Sequence, residues 1–240
     1  YLTFAWRYFK AKKSANAINW IAWVTVGVIA FATACQILVL SVFNGFEGLV
    51  KSLYSSFYTD VKIIPQKGKT FILTNSQIQL LKKTPGIQAV SLIAEEKALL
   101  QNDDLQTIVY LKGVDENYRK VSGVAEKIVE GKFNTGDANE PGLILGAGIQ
   151  NAAGVNITNA SAASLLTVIL PKKGKVSMTD PLQSLSEGNI KATGVFAIQQ
   201  DFDNKYAITN IDFVKHQMGF AKNEYSAAEI KLTDPSNLIK

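Results

Sequence analysis

Gly68-Lys69-Thr70 has the ending of a phosphate-binding loop. In such a loop glycine N–H groups cradle the phosphates, the lysine reaches the terminal phosphate, and the hydroxyl reaches a magnesium ion. Ile63 stands where the first glycine belongs and no helix follows directly, so that chemistry is not assembled. Gly146-Ala147-Gly148 is too short for a dinucleotide fingerprint. Asp103-Asp104 and the Asp201/Asp203 pair offer carboxylates, yet Asp favours turns, and they read as turn residues. The single histidine, His216, weighs against a histidine ligand set or a Ser-His-Asp triad and reads as a surface or satisfied core residue. The single cysteine, Cys35, excludes an intramolecular disulfide and a cysteine zinc cluster. No catalytic residue, metal site or cofactor is expected. The residues point to a membrane-anchored binding or mechanical domain.

The anchor is written in the charge distribution. The chain has 240 residues, 25 basic and 20 acidic, for a net charge of +5. Arg7, Lys10, Lys12 and Lys13 supply four of the positive charges before residue 14, and residues 14–46 carry none of either sign. The remainder is nearly balanced, which argues against a nucleic-acid-binding face. The 47% apolar content is ample for a core and argues against disorder.

Residues 18–43 are the densest apolar stretch, and a helix needs about 20 such residues to cross a hydrocarbon core of about 30 Å. Trp20 and Trp23 at one end, and Phe43 and Phe46 near the other, suit the two interfaces. The preceding basic cluster places the N-terminus in the cytoplasm and everything beyond Glu47 on the far side. The opening YLTFAWRYFKAKK is either a short interfacial helix or a topogenic tail. The span is too long for a cleaved signal peptide. Ala32-Thr33-Ala34-Cys35 is a poor lipoprotein cleavage box, because QILVLSVF stays apolar after the cysteine.

Phe43, Phe46, Val50, Leu53, Tyr54 and Phe57 recur at three- and four-residue spacing, which predicts a helix continuing to about Tyr58. At about 1.5 Å per residue it would be about 60 Å long, half of it a stalk above the membrane. Gly45 and Gly48 mark a bend or a close helix contact. Beyond it, strands are expected at 61–65, 87–94, 143–145, 165–170, 191–197 and 227–232, with a hairpin of 97–101 and 105–112. Helices are expected at 75–84, where Pro85-Gly86 stops the run, near 149–153 and at 211–218. Residues 118–130 read as helix or turn, and 155–164 and 171–189 as long irregular stretches.

Leu40-Ser41-Val42-Phe43-Asn44-Gly45-Phe46-Glu47 at the end of the span carries a resemblance. So do Leu143-Ile144-Leu145-Gly146 with Gly154-Val155, and Thr193-Gly194-Val195-Phe196 ahead of Asp201–Tyr206. Together they resemble the transmembrane subunits of the lipoprotein-releasing ABC transporter of Gram-negative bacteria, in the wider class of mechanotransmission permeases. The likeness covers nearly the whole chain, although Asn156-Ile157-Thr158-Asn159 replaces the usual Gly-Asp.

The resemblance implies an α+β chain: one N-terminal transmembrane helix extended into a stalk, followed by a mixed α/β periplasmic domain. Residues 1–17 would be a cytoplasmic interfacial segment, 18–46 the span, 47–58 the stalk and 59–240 the domain, with further spans of a longer permease beyond. It implies a non-catalytic subunit in the inner membrane with four kinds of partner: a cytoplasmic ABC ATPase, a second permease subunit (identical or different), lipoprotein substrates and a periplasmic lipoprotein carrier. It implies that Val39, Val42, Phe43, Phe46 and Val50 meet acyl chains, and that residues 171–189 hook the carrier through Met178, Pro181 and Leu182. Ordinary helix or lipid contact for the stripe, and a plain connector for the loop, stand beside those readings. Two other functions of the class also stay open: tripartite efflux of the macrolide-exporter type, and envelope signalling by a cell-division permease that activates a cell-wall hydrolase.

Overall fold

The uncharged run becomes one helix, α1, spanning Asn16–Phe57. Its polar interruptions are absorbed locally: Thr25 Oγ1 donates to the Ile21 carbonyl and Thr33 Oγ1 to that of Ile29, both at 2.8 Å. Neither threonine hydroxyl is therefore left unpaired on an apolar surface. Glu47 and Lys51 form an i,i+4 pair at 2.6 Å where the charges resume. Among the described residues α1 is the one helix long and apolar enough to cross a membrane.

This computed structural model describes residues 1, 3, 4, 6, 7, 16–157, 165–174 and 181–234, with side chains left undescribed at 16–19, 181 and 182. The chain divides into two units, Tyr1–Ser52 and Leu53–Lys240. The last turn of α1 thus belongs to the second unit.

That unit is a mixed α/β domain. Its elements are β1 (Val61–Ile63), β2 (Phe71–Ile72), α2 (Asn75–Lys83), β3 (Ile87–Asn102), β4 (Leu105–Val114), α3 (Tyr118–Val121), a 3-10 turn, β5 (Ile128–Gly131), β6 (Gly142–Gly146) and α4 (Ala147–Ala152). There follow β7 (Leu165–Pro171), a second 3-10 turn (Pro181–Ser184), β8 (Leu185–Phe196), α5 (Gln200–Asp203), β9 (Tyr206–Asn210), α6 (Ile211–Met218), β10 (Glu224–Tyr225) and β11 (Ala227–Leu232). Six strands close on themselves in the order β3-β4-β9-β6-β8-β7 and back to β3. β11 and β1 extend from β3, β5 flanks β8, and β2 pairs with β10 apart from the rest.

β3 explains the closure. Its first half pairs with β11 through Ile87–Ile93, and its second half pairs with β7 through Leu99–Gln101. One sixteen-residue strand serves both, so the expected break near residues 95–96 is absent. Glu95 and Glu96 are accommodated because each finds a lysine: Lys62 at 3.5 Å and Lys69 at 2.6 Å. The irregular stretch expected at 171–189 is also shorter, since β8 begins at Leu185 and pairs with β7 out to Pro171. β5 occupies the end of the segment read as helix or turn.

α6 packs one hydrophobic core, with Val214 and Phe213 lying among Leu111, Leu143 and Ile190. A Cβ at Gly113 would sit 2.9 Å from Val214 Cβ, so the missing side chain admits the helix. A second core gathers Phe57, Ile93, Val114, Tyr118, Ile144, Phe196, Phe202 and Ile208. The domain therefore has two apolar centres, and the last residue of α1 lies in one of them.

Candidate functional site: the foot of the long helix

Residues 53–57 end α1 inside an aromatic cluster. Phe57 is 1% exposed. It stacks on Phe202 with ring centres 4.4 Å apart and leans on Tyr206 at 4.6 Å. Tyr54 and Tyr58 meet Phe202 edge-on at 5.5 and 5.2 Å. Burial of one such ring contributes about 1.5–3 kcal/mol, with about 0.5–1.5 kcal/mol more from each well-placed aromatic pair. The helix end is capped as well: the Ser56 carbonyl accepts from Gly123 N–H at 3.0 Å and from Ser122 Oγ at 3.2 Å. Helix C-termini need such donors for their last carbonyls. Just beyond, Asp60 accepts from Leu232 N–H at 2.8 Å and pairs with Lys231, tying the exit of the helix to β11.

Beneath Phe57 lies a buried charge. Lys112 on β4 is 2% exposed, and its Nζ sits 5.0 Å from the Phe57 ring centre and 4.9 Å from that of Tyr118. The ammonium donates to Glu229 Oε1 at 2.7 Å. Glu229 is equally buried, and its Oε2 has no hydrogen-bond partner among the described residues. Burial opposes the charge on Lys112, but the Tyr118 oxygen and the Glu229 and Glu95 carboxylates outweigh it and raise its pKa. Lys62 completes a ladder of two acids and two bases, 3.5 Å from Glu95 and 3.8 Å from Glu229. Burial, reinforced by the Glu95 carboxylate, pushes the neighbouring Tyr206 up to about 12. The arrangement holds a helix end by stacking, capping and a desolvated cation over π faces.

Sequence reasoning did not reach Lys112 or Glu229. The available signal was alternation: Lys112 shares one side of β4 with Tyr110 and Val114, the side closed by the helix foot.

The five residues of the apolar stripe lie on α1 outside the domain unit. Val39, Val42, Phe43 and Phe46 are exposed and Val50 is half-buried. At about 100° per residue they fall within about 100° of arc, a single face. Arg7 is exposed, while Lys10, Lys12 and Lys13 lie outside the described residues, as does Met178. Pro181 and Leu182 open the 3-10 turn that closes the β7–β8 connection.

The phosphate-loop look-alike is consumed internally, with Lys69 on Glu96 at 2.6 Å and Thr70 donating to Glu224 at 2.5 Å. Asp103 takes the tight hairpin turn at φ +50°, and Asp203 accepts from Ile198 N–H at 2.9 Å. Among the described residues no three His, Cys, Asp or Glu side chains converge as a metal site.

A family model described as the MacB-like periplasmic core domain matches residues 22–237. The lipoprotein-releasing system transmembrane protein LolC of Neisseria meningitidis serogroup B is 28% identical over 96% of this chain and 54% of its own length. LolE of Haemophilus influenzae, also a lipoprotein-releasing system transmembrane protein, is 23% identical with the same two coverages. The chain thus spans about half the length of the curated relatives it matches. Among solved structures, the extracellular domain of the ABC-type transporter YknZ from Gram-positive bacteria aligns with a TM-score of 0.49 at 13% identity, covering 75% of this chain and 87% of that one. The periplasmic region of MacB from Actinobacillus actinomycetemcomitans aligns at 0.48 and 14%, covering 72% and 74%.

Proposed function

The chain belongs to the MacB-like periplasmic core domain family, and on that ground we propose that it forms part of a permease subunit of an ABC transporter. The transporter would extract lipoproteins from the inner membrane and pass them to a periplasmic carrier. One observation carries this reading: two lipoprotein-releasing transmembrane proteins align along 96% of the chain, through α1 and the domain alike.

In this reading residues 1–17 lie at the cytoplasmic interface, 18–46 cross the membrane, 47–58 form a stalk and 59–240 form the periplasmic domain. Arg7, Lys10, Lys12 and Lys13 hold the N-terminus inside. ATP hydrolysis resides in a separate cytoplasmic subunit, and a second permease, identical or different, completes the pair. The apolar face of Val39, Val42, Phe43, Phe46 and Val50 receives the acyl chains, which apolar side chains solvate without hydrogen bonds. The β7–β8 connection, with Met178, Pro181 and Leu182, engages the carrier. The seat of Phe57 on Lys112 gives the domain a firm hold on the end of α1, the contact a mechanical stroke would need.

The decisive experiment is purification of the full permease with its ATPase, followed by identification of what co-purifies and of what a purified lipoprotein carrier collects when ATP is added. Diacylated or triacylated lipoproteins appearing on the carrier is the expected result. A small-molecule efflux complex with an adaptor, or a cell-wall hydrolase bound without any cargo, would replace the reading with one of its two rivals.

A further inference from the structure

A cleft of about 490 Å³ opens between the loop before β2 and the end of β7, and none of the residues that hold the helix foot lines it. Residues 68–70 form one wall and residues 171–174 the other, with Met218 and Phe220 adding apolar surface. The volume falls within the usual range of ligand pockets, about 300–1,000 Å³. Both walls are fixed. Thr70 Oγ1 donates to the buried Glu224 at 2.5 Å. Lys173 N–H donates to the Met218 carbonyl at 2.8 Å, and Lys172 N–H to the Ser184 carbonyl at 2.7 Å.

The charge that this cleft shows to solvent is of one sign. Lys69 donates to Glu96 at 2.6 Å, and the two side chains are 77% and 13% exposed. Lys173 donates to Glu224 at 2.5 Å, and here the exposures are 54% and 4%. In each pair the carboxylate is sunk and the ammonium stands outside. Lys172, exposed beside them, has no carboxylate partner among the described residues. An ammonium carries three donors. Lys69 and Lys173 each use one on a carboxylate, which leaves two apiece for a ligand. A buried carboxylate thus fixes each lysine without covering it, and that lowers the ordering cost of binding. Three ammonium groups stand against two carboxylates, so one further acid balances the site.

We propose that this cleft is a docking site for an acidic peptide segment of a partner protein, one whose carboxylate is flanked by apolar side chains. The carboxylate accepts from Lys172 and from the remaining donors of Lys69 and Lys173, bonds that are strong because both sides are charged. The apolar neighbours pack on Met218 and Phe220. A free anion would use the lysines alone and leave that apolar surface bare. The site uses neither the stripe on α1 nor Met178, Pro181 or Leu182, so it stands whatever the cargo and carrier turn out to be.

The test uses the full permease–ATPase complex in phosphatidylcholine nanodiscs. The probe is the end-blocked peptide GLDLG carrying a neutral fluorophore, read by fluorescence anisotropy. The expected result is saturable binding below about 1 mM. Lys172→Gln and Phe220→Ala should each weaken it about tenfold. Lys172→Arg, which keeps charge and reach, should bind as wild type does. Lys120→Gln, which removes an exposed lysine on α3 outside the cleft, should change nothing. The uncharged peptide GLNLG should bind about tenfold more weakly than GLDLG. Should Phe220→Ala fail to fold, Lys172→Gln decides alone, since it alters an exposed side chain. Absence of saturable binding overturns the proposal, as does equal binding of the two peptides. A Lys172→Gln variant that binds like wild type overturns it too, and so does a folded Phe220→Ala variant that does. Complete displacement of the peptide by equimolar inorganic phosphate, or by phosphatidylglycerol vesicles, would make the cleft an anion or lipid site and overturn peptide docking.

Discussion

The Nζ of Lys112 lies 5.0 Å from the centre of the Phe57 ring, so the last residue of a forty-two-residue apolar helix ends on a buried positive charge. Tyr118 covers a second side of that charge and Glu229 neutralises it. A cation is costly to desolvate, and it is tolerated here because the pair and the two π faces replace water.

That relationship is measurable as a coupling. Phe57→Ala should cost about 3–5 kcal/mol of domain stability, the usual loss for a buried aromatic. Phe57→Leu keeps most of the apolar volume and discards the π face. In a double-mutant cycle with Lys112→Met, the coupling between positions 57 and 112 should come out at about 0.5–2 kcal/mol by denaturant unfolding. A cycle that closes to zero would leave the cation–π contact without energetic weight.

The ion pair itself makes a sharper prediction. Lys112→Met leaves the Glu229 carboxylate buried beside Lys62 alone, which is 3.8 Å away and half-exposed. Breaking a buried pair on one side typically costs about 3–5 kcal/mol. Lys112→Met combined with Glu229→Met replaces the pair by apolar side chains and should recover most of that loss. Thermal melting of the two variants distinguishes them, and a double variant no better than the single one would mean that the apolar pair does not fill the space.

Gly146 tests how far local sequence dictates packing. The Leu-Gly ending of β6 is one of the runs that carry the family likeness, and its reason is steric: a Cβ there would overlap the carbonyl of Asp203 on α5. Gly146→Ala should therefore displace α5 and Phe202 with it, costing about 1–3 kcal/mol. The loss should appear in hydrogen exchange at residues 200–206 first. Uniform loss of protection across the barrel would point to a different cause.

Much of the fold is legible because its causes are local. The uncharged run sets α1. Thr74 and Gln77 exchange hydrogen bonds as a capping box, and Thr84 with Pro85-Gly86 ends α2. Asp103 turns the β3–β4 hairpin. The ring closure is illegible for the opposite reason: β7 meets β3 across more than sixty residues of chain, and no turn chemistry announces that pairing. β9 escapes as well, since Tyr206–Asn210 is five residues long and buried at its centre, with no alternation to read. Lys112 and Glu224 were hidden because a charged residue in a strand reads as a solvent-facing one. Only tertiary partners reveal that these two face inward.

Glu224 has a pH signature with a defined sign. Burial raises its pKa, but hydrogen bonds from Lys173, Thr70 and the Ala221 N–H outweigh burial, so the carboxyl is held below its ordinary value of 4.5. A depressed carboxylate contributes stability that is present above 4.5 and lost as the pH falls through the folded value. The charged groups facing it are Lys173 after β7 and Lys215 on α6. The melting difference between wild type and Glu224→Gln should therefore be largest near neutrality and shrink below pH 4.5. A difference that persists unchanged into acid would assign the effect to shape instead of charge.

If α1 lines a cargo cavity as proposed, rotation alone separates cargo contact from lipid contact on it. Positions 39, 42, 43, 46 and 50 share one arc, while Ile37 and Ser41 lie about 160° from its centre on the same helix, about 3–14 Å from positions 43 and 46 along its axis. Ile37 and Phe43 are both more than 60% exposed, so exposure does not favour one side. Photo-reactive residues placed at 43 and 46 in the full permease should crosslink to lipoprotein before ATP is added and lose the crosslink after hand-over. The same probes at 37 and 41 should capture lipid or a neighbouring helix and be indifferent to ATP. Equal capture of lipoprotein from both sides would reduce the stripe to ordinary membrane contact, because a helix that lines a cargo cavity must present it one face and keep the other elsewhere.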